Sequence, residues 1–293
     1  MKRYNIIFTV LLLISILSGC GQADKGAQIV ATTLPVYEFT VRLCQDTDIQ
    51  VTQLITENVS CLHDYTLQVS QMRAIESAQI IVTSGAGLEN FLEDALQSSH
   101  TQIDSSEGIP LLCHEEGQEH GHGQAHHHEH DPHIWLSPEN AKRMARNICS
   151  GLAAHFPQWS DTFRSNLANL ESELDDLSSY GADQLSQLSN RELITFHDGF
   201  SYMADAFDLT ILEAIEEESG SEASAAELIS LINLVEDHDI TAIFTERNGS
   251  TSAASVIASE TGVKIFTLDM AISGESYFEA MYHNIDTLKE ALE

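Results

Sequence analysis

The feature that most restricts the fold is a rhythm along the chain: short apolar runs, each too brief for a helix, alternate with segments whose apolar residues recur at helical spacing. Residues 28–31 read as a strand, 35–44 as a helix and 48–55 as a strand; then 67–77 reads as a helix, 80–83 as a strand, 88–96 as a helix and 109–112 as another strand. Such repetition predicts a parallel sheet, because parallel neighbours need a long crossover and a helix supplies it. The rhythm stops at a polar stretch, residues 113–131, and restarts at Ser137-Pro138-Glu139, a good helix cap followed by proline at the first helical position. From Trp159 to Leu188, leucines stand at 167, 170, 174, 177, 185 and 188 with no proline and one glycine, Gly181, so the spacing predicts a single long helix. Beyond it, 193–196, 209–213, 240–245 and 263–268 read as strands with helices between them. In 226–236, Leu228, Leu231, Ile232 and Val235 fall on one helical face. The predicted fold class is α/β: two doubly wound lobes, residues 27–158 and 190–293, joined by one long connecting helix, residues 159–189. That helix offers no break, which limits the amplitude of any hinge.

Charge narrows the partners. With 45 acidic against 13 basic side chains the formal net charge is −32, which repels phosphate backbones and excludes nucleic acid as the natural ligand. Cations are favoured instead. Only 20% of residues are charged and 43% are hydrophobic, enough apolar surface for a core. At the start, Lys2 and Arg3 precede an apolar stretch from Ile6 to Leu17, shorter than the roughly 20 residues a spanning helix needs. It reads as a signal peptide, residues 1–19. Its ending, Leu17-Ser18-Gly19-Cys20, resembles the processing site of bacterial lipoproteins, which implies lipidation of Cys20 and a tether over residues 20–26.

The 14 histidines divide by context. Eight lie between His114 and His133, and residues 119–131 read EHGHGQAHHHEHD. Imidazole suits zinc, copper and nickel, and glycines 117, 121 and 123 loosen the stretch, so His114, His120, His122, His126, His127, His128 and His130 are expected to collect metal weakly and in several arrangements. His63, His133 and His197 each end an apolar or strand-like run, where ligands of doubly wound sheets bind. Asp269 follows the strand-like 265–267 in the second lobe, and three nitrogens with one oxygen suit a tetrahedral zinc shell. His100, His155, His238 and His283 lack such support and are assigned no role.

Three segments carry a resemblance. His63-Asp64-Tyr65, Asp131-Pro132-His133-Ile134-Trp135-Leu136-Ser137-Pro138 and Phe196-His197-Asp198-Gly199-Phe200 resemble the histidine motifs of the zinc and manganese solute-binding lipoproteins of ABC importers; 240–246, Leu268-Asp269 and the segment from Ser276-Tyr277 to Leu288 add to it. The resemblance implies one metal held in a cleft between lobes by His63, His133, His197 and Asp269. It also implies a monomer, lipid-anchored outside the bacterial cytoplasm, that hands its cargo to a permease whose ATPase is a separate chain. Manganese-binding relatives carry glutamate at the position of His197 and lack a histidine-rich loop, so Zn2+ is the expected cargo. A manganese-binding component, and a surface zinc buffer or adhesin, are the competing readings. No HExxH, GxSxG or Walker A segment occurs, and the chain is not expected to be an enzyme.

An exported protein permits disulfides among Cys44, Cys61, Cys113 and Cys149. The predicted helix places Cys44 roughly 15 Å below the cleft edge, far from Cys61, whereas Cys113 ends a run at that edge. Cys61 with Cys113 and Cys44 with Cys149 are therefore the expected bridges. A rival is that Cys61, two residues before His63, is itself a thiolate ligand.

Overall fold

The computed structural model describes residues 29–59, 62, 65–92, 95–96, 101–113, 130–216, 223–247 and 249–293. The first lobe holds β1 (Ile29–Ala31), α1 (Leu34–Leu43), β2 (Val51–Gln53), α2 (Val69–Ser77), β3 (Ile80–Thr83), β4 (Thr101–Asp104) and α3 (Pro138–His155). After α4 (Ser160–Leu185) come β5 (Glu192–His197), α5 (Ser201–Ala206), β6 (Thr210–Glu216), α6 (Ala225–Asp237), β7 (Ala242–Glu246), α7 (Ser252–Thr261), β8 (Lys264–Leu268) and α8 (Tyr277–Leu292). The strands form two four-stranded sheets, ordered β2-β1-β3-β4 and β6-β5-β7-β8, with every pairing parallel. The two α/β lobes and the long connecting helix are as the alternation predicts. In each sheet the chain winds one way from the first strand and the other way from the third, so the switch point lies between β1 and β3, and between β5 and β7.

Two elements differ from expectation. The first sheet's last strand is β4, not residues 109–112. Pro110 has no N–H for a ladder, and Leu112 N donates instead to Tyr202 Oη at 2.9 Å. β4 carries little sequence signal because Ile103 is its only apolar residue; as an edge strand it needs no more. In place of a helix over 88–96, the described residues hold a single turn, Asn90–Leu92. Gly85, Ala86 and Gly87 all take positive φ, and the buried Glu89 side chain accepts from Ser84 N at 2.7 Å, Gly85 N at 3.0 Å and Thr32 Oγ1 at 2.6 Å. Those bonds satisfy a loop instead of a helix start.

The connecting helix α4 buries Phe163, Leu170, Leu174, Leu177 and Leu185, a stripe that packs on α1, α3 and α8. Its glycine has a steric cause: a Cβ at Gly181 would lie 2.2 Å from the Phe207 ring. Asn166 on the same helix donates to Leu43 O and Gln45 O, satisfying carbonyls at the end of α1. One apolar core runs continuously from the first lobe through α4 to Met270, Ala271, Ile272 and α8 of the second. A smaller cluster, including Ile194, Phe196, Leu231, Ile243 and Ile257, fills the space between the second sheet and α6–α7.

The expected bridge between Cys44 and Cys149 does not exist: both are buried free thiols. Each is packed as a small apolar side chain, and burial pushes Cys44 up to about 12 and Cys149 upward, which holds them protonated and unreactive. Cys113 is also a free thiol, exposed; Cys61 lies outside the described residues, so the second expected bridge is unmade on the side that is described.

Candidate metal site

The site grows from strand ends. His197 is the last residue of β5 and Glu246 the last of β7, so both sit at the switch point of the second sheet, at the carboxyl ends of its central strands. Asp269 follows β8 directly. From the first lobe, His133 caps the short turn Ile134–Leu136 that leads through Ser137 into α3; Ser137 Oγ accepts from Asn140 N, as the cap motif predicts.

The two lobes bring His133 and His197 face to edge, ring centroids 5.2 Å apart and planes at 85°. Both are almost fully buried, with 1% and 2% of their surface exposed. Asp131 orients the first of them. One of its carboxylate oxygens accepts from His133 N at 2.9 Å and pairs with His133 Nδ1 at 2.8 Å. A carboxylate only accepts, so a neutral His133 ring carries its proton on Nδ1 and leaves the Nε2 lone pair bare. That Nε2 is buried with no hydrogen-bond partner, an expensive state unless an electrophile such as a metal ion occupies it. Around His197 the chain leaves room: a Cβ at Gly199 would lie 2.7 Å from His197 Cδ2 and 2.9 Å from its Nε2, so the Phe196-His197-Asp198-Gly199 motif carries glycine for a close approach.

Bonds between the lobes hold this pair in register. Trp135 packs edge-on to His133 with centroids 5.4 Å apart and donates from Nε1 to Met270 O at 2.7 Å, while Tyr277 Oη donates to Trp135 O at 2.8 Å. Tyr202, from α5, accepts from Leu112 N and donates to Asp131 O at 3.1 Å. Burial pushes its phenol up to about 12, so it stays a donor throughout the physiological range.

Asp269 is held differently from the histidine pair. Its backbone is fixed by Asn284 of α8 through two bonds of 2.7 Å; Oδ1 accepts from Ala271 N at 2.8 Å, and Oδ2 faces Arg247 Nη1 at 3.2 Å. Among the described residues, no three His, Cys, Asp or Glu side chains converge as metal ligands. The fourth expected ligand, His63, lies outside the described residues, as do Cys20 and the histidines from His114 to His128. Asp131 enters the sequence reading only as part of a motif, without a role, and Tyr202, Arg247 and Asn284 are not named in it. Only Asp131 carried a signal there, since it stands two residues before His133 within the most specific motif.

Comparison with known proteins places the chain. The family model described as ZnuA, zinc-uptake complex component A periplasmic, matches residues 29–291. The zinc-binding lipoprotein AdcA of Streptococcus pneumoniae is 32% identical over 307 residues, covering 99% of this chain and 61% of the relative. The high-affinity zinc uptake system protein ZnuA of Bacillus subtilis is 28% identical over 318 residues, covering 99% of this chain and 98% of the relative. A crystal structure of ZnuA superimposes with a TM-score of 0.79 at 28% identity over 91% of this chain and 100% of that one. The chain thus spans about three fifths of the length of the first curated relatives that it matches.

Proposed function

Because the chain belongs to the family of the periplasmic zinc-uptake component A, we propose that it captures Zn2+ between its lobes and delivers the ion to the permease of an ABC importer. The observation that carries this is the buried imidazole pair, with one Nε2 bare and its ring proton held by Asp131. Two imidazoles bonded to one tetrahedral zinc at about 2.0–2.1 Å would have ring centroids about 5.2 Å apart. The ring centroids of His133 and His197 stand at that separation, 5.2 Å. His63 supplies a third nitrogen, and Asp269 the oxygen once Arg247 turns away.

The donor set favours zinc over manganese, which prefers carboxylates and water. The histidines from His114 to His130 gather ions from solvent and hold none of them tightly. A lipid on Cys20 anchors a monomer outside the cytoplasm, residues 27–158 and 190–293 act as the lobes about a helix at 159–189, and ATP hydrolysis belongs to a separate chain. The role is capture and release, so no catalysis is assigned to the site.

The test is a calorimetric titration of metal-free protein with zinc and with manganese. His197→Ala is expected to lose most of the tight zinc binding, while deletion of residues 115–129 leaves it largely intact. Tighter manganese than zinc binding would refute the choice of cargo, and equal losses in both variants would refute the division between site and loop.

A further inference from the structure

The cleft leaves one pair of metal-competent side chains unassigned as a unit. Cys113 and His130 stand at the two ends of the histidine-rich stretch, and an antiparallel bridge pairs their backbones. Cys113 Sγ lies 3.5 Å from His130 Nδ1. Cys113 is exposed and His130 half-buried, so an ion can reach both from solvent.

That spacing is what two ligands on one zinc ion require. Zinc bonds thiolate sulfur at about 2.3 Å and imidazole nitrogen at about 2.0–2.1 Å, and at the tetrahedral angle those lengths set sulfur and nitrogen about 3.5–3.6 Å apart. The pair is also fixed from behind. Tyr202 Oη bonds Leu112 N and Asp131 O, the residues immediately before Cys113 and immediately after His130. Tyr202 is itself buried, 3% exposed, so the foot of the stretch is clamped by a rigid side chain of the other lobe. The backbone on both sides is thus held, and only the two side chains remain to be ordered by an ion.

We propose that Cys113 and His130 form a second zinc site, with one sulfur and one nitrogen ligand and water in the remaining positions, separate from the cleft. Thiolate with imidazole selects a borderline-soft ion such as zinc and rejects calcium and magnesium. With two protein ligands it binds more weakly than the cleft, and it lies one short step from it: His130 is followed by Asp131, which orients His133. An ion held there is next to the segment that presents the cleft ligand. The inference rests on zinc being the captured ion, but its signature is sulfur, which none of the proposed cleft ligands contains.

Zinc-edge X-ray absorption of the mature chain, kept reduced and loaded with two equivalents of Zn2+, tests it. A sulfur neighbour at about 2.3 Å is expected in the wild type, in Cys61→Ser and in the double variant His133→Ala/His197→Ala loaded with one equivalent. Cys113→Ser should lose the sulfur signal, and His130→Ala should weaken zinc binding at the sulfur-containing site by about tenfold. Cys113 is exposed, so the serine variant is expected to fold, and circular dichroism checks this. Sulfur that persists in Cys113→Ser, vanishes in Cys61→Ser, or is missing from the wild type overturns the proposal. Failure of the cleft reading looks different: the first equivalent would stay tight in the double histidine variant, with the sulfur signal unchanged.

Discussion

Replacing Asp131 tests the proposed site at its most informative point, because the residue would act on a bound ion only through His133. One buried carboxylate oxygen takes both the backbone N–H and the ring Nδ1–H of that histidine, at 2.9 and 2.8 Å. Bonds to a charged acceptor contribute about 1.5–3 kcal/mol each, and here one of them sets the tautomer that leaves Nε2 bare. Without it the ring can turn and place its proton on Nε2, and binding must first undo that. At about 1.4 kcal/mol per factor of ten, Asp131→Ala should weaken zinc binding about ten- to a hundredfold, the range found for partners that orient metal-bound histidines. Asp131→Asn keeps an acceptor oxygen in place and loses only the charge, so it should fall at the mild end, near tenfold. The assay is competition for zinc against a chromophoric chelator, with thermal unfolding of the metal-free proteins as the control for folding. If folded Asp131→Ala binds zinc within about threefold of the wild type, the carboxylate does not orient the ligand and the argument from His133 fails.

Other expectations follow from single contacts. Arg247→Ala removes the half-exposed cation that faces Asp269; if that carboxylate joins the metal, affinity should rise about fivefold, the equivalent of ~1 kcal/mol, and unchanged affinity in the titration would remove Asp269 from the ligand set. Tyr202→Phe leaves Leu112 N–H without its acceptor and should lower stability by about 1–3 kcal/mol in urea unfolding, with faster hydrogen exchange at Leu112; no change in either would show that the hydroxyl clamps nothing. Burial pushes Glu89 from about 4.5 up to about 7, so the folded chain keeps a proton that the unfolded chain has released across that interval. Its contribution is complete below about pH 4.5 and fades as pH rises through about 7, on the order of 3 kcal/mol in all. Metal-free Glu89→Gln should lack this part of the fall in stability between pH 5 and 8, and a parallel pH profile in the variant would contradict it.

The alternation of apolar runs and helical stripes determined the parallel sheets, because side-chain periodicity is a local property that burial imposes on each segment separately. Stripe and cap were equally legible: the leucines of α4 and the Ser137-Pro138 start of α3 are where the spacing puts them. Local pattern failed where a single distant contact decided the outcome. β4 forms with one apolar residue because β3 offers it an edge, and 109–112 stays out of the sheet because Pro110 cannot donate and Tyr202 takes the N–H of Leu112. The cysteines show the same limit, since Cys44 and Cys149 are satisfied by packing and no spacing rule could tell that from a bond. For the site, sequence named His133 and His197 from their strand and turn ends, while only the tertiary structure set their rings 5.2 Å apart and revealed Asp131 as the group that holds the tautomer. Chemistry is written in residue type and position along the chain; distance between residues 64 positions apart exists only once the lobes have packed about Trp135, Met270 and Tyr277.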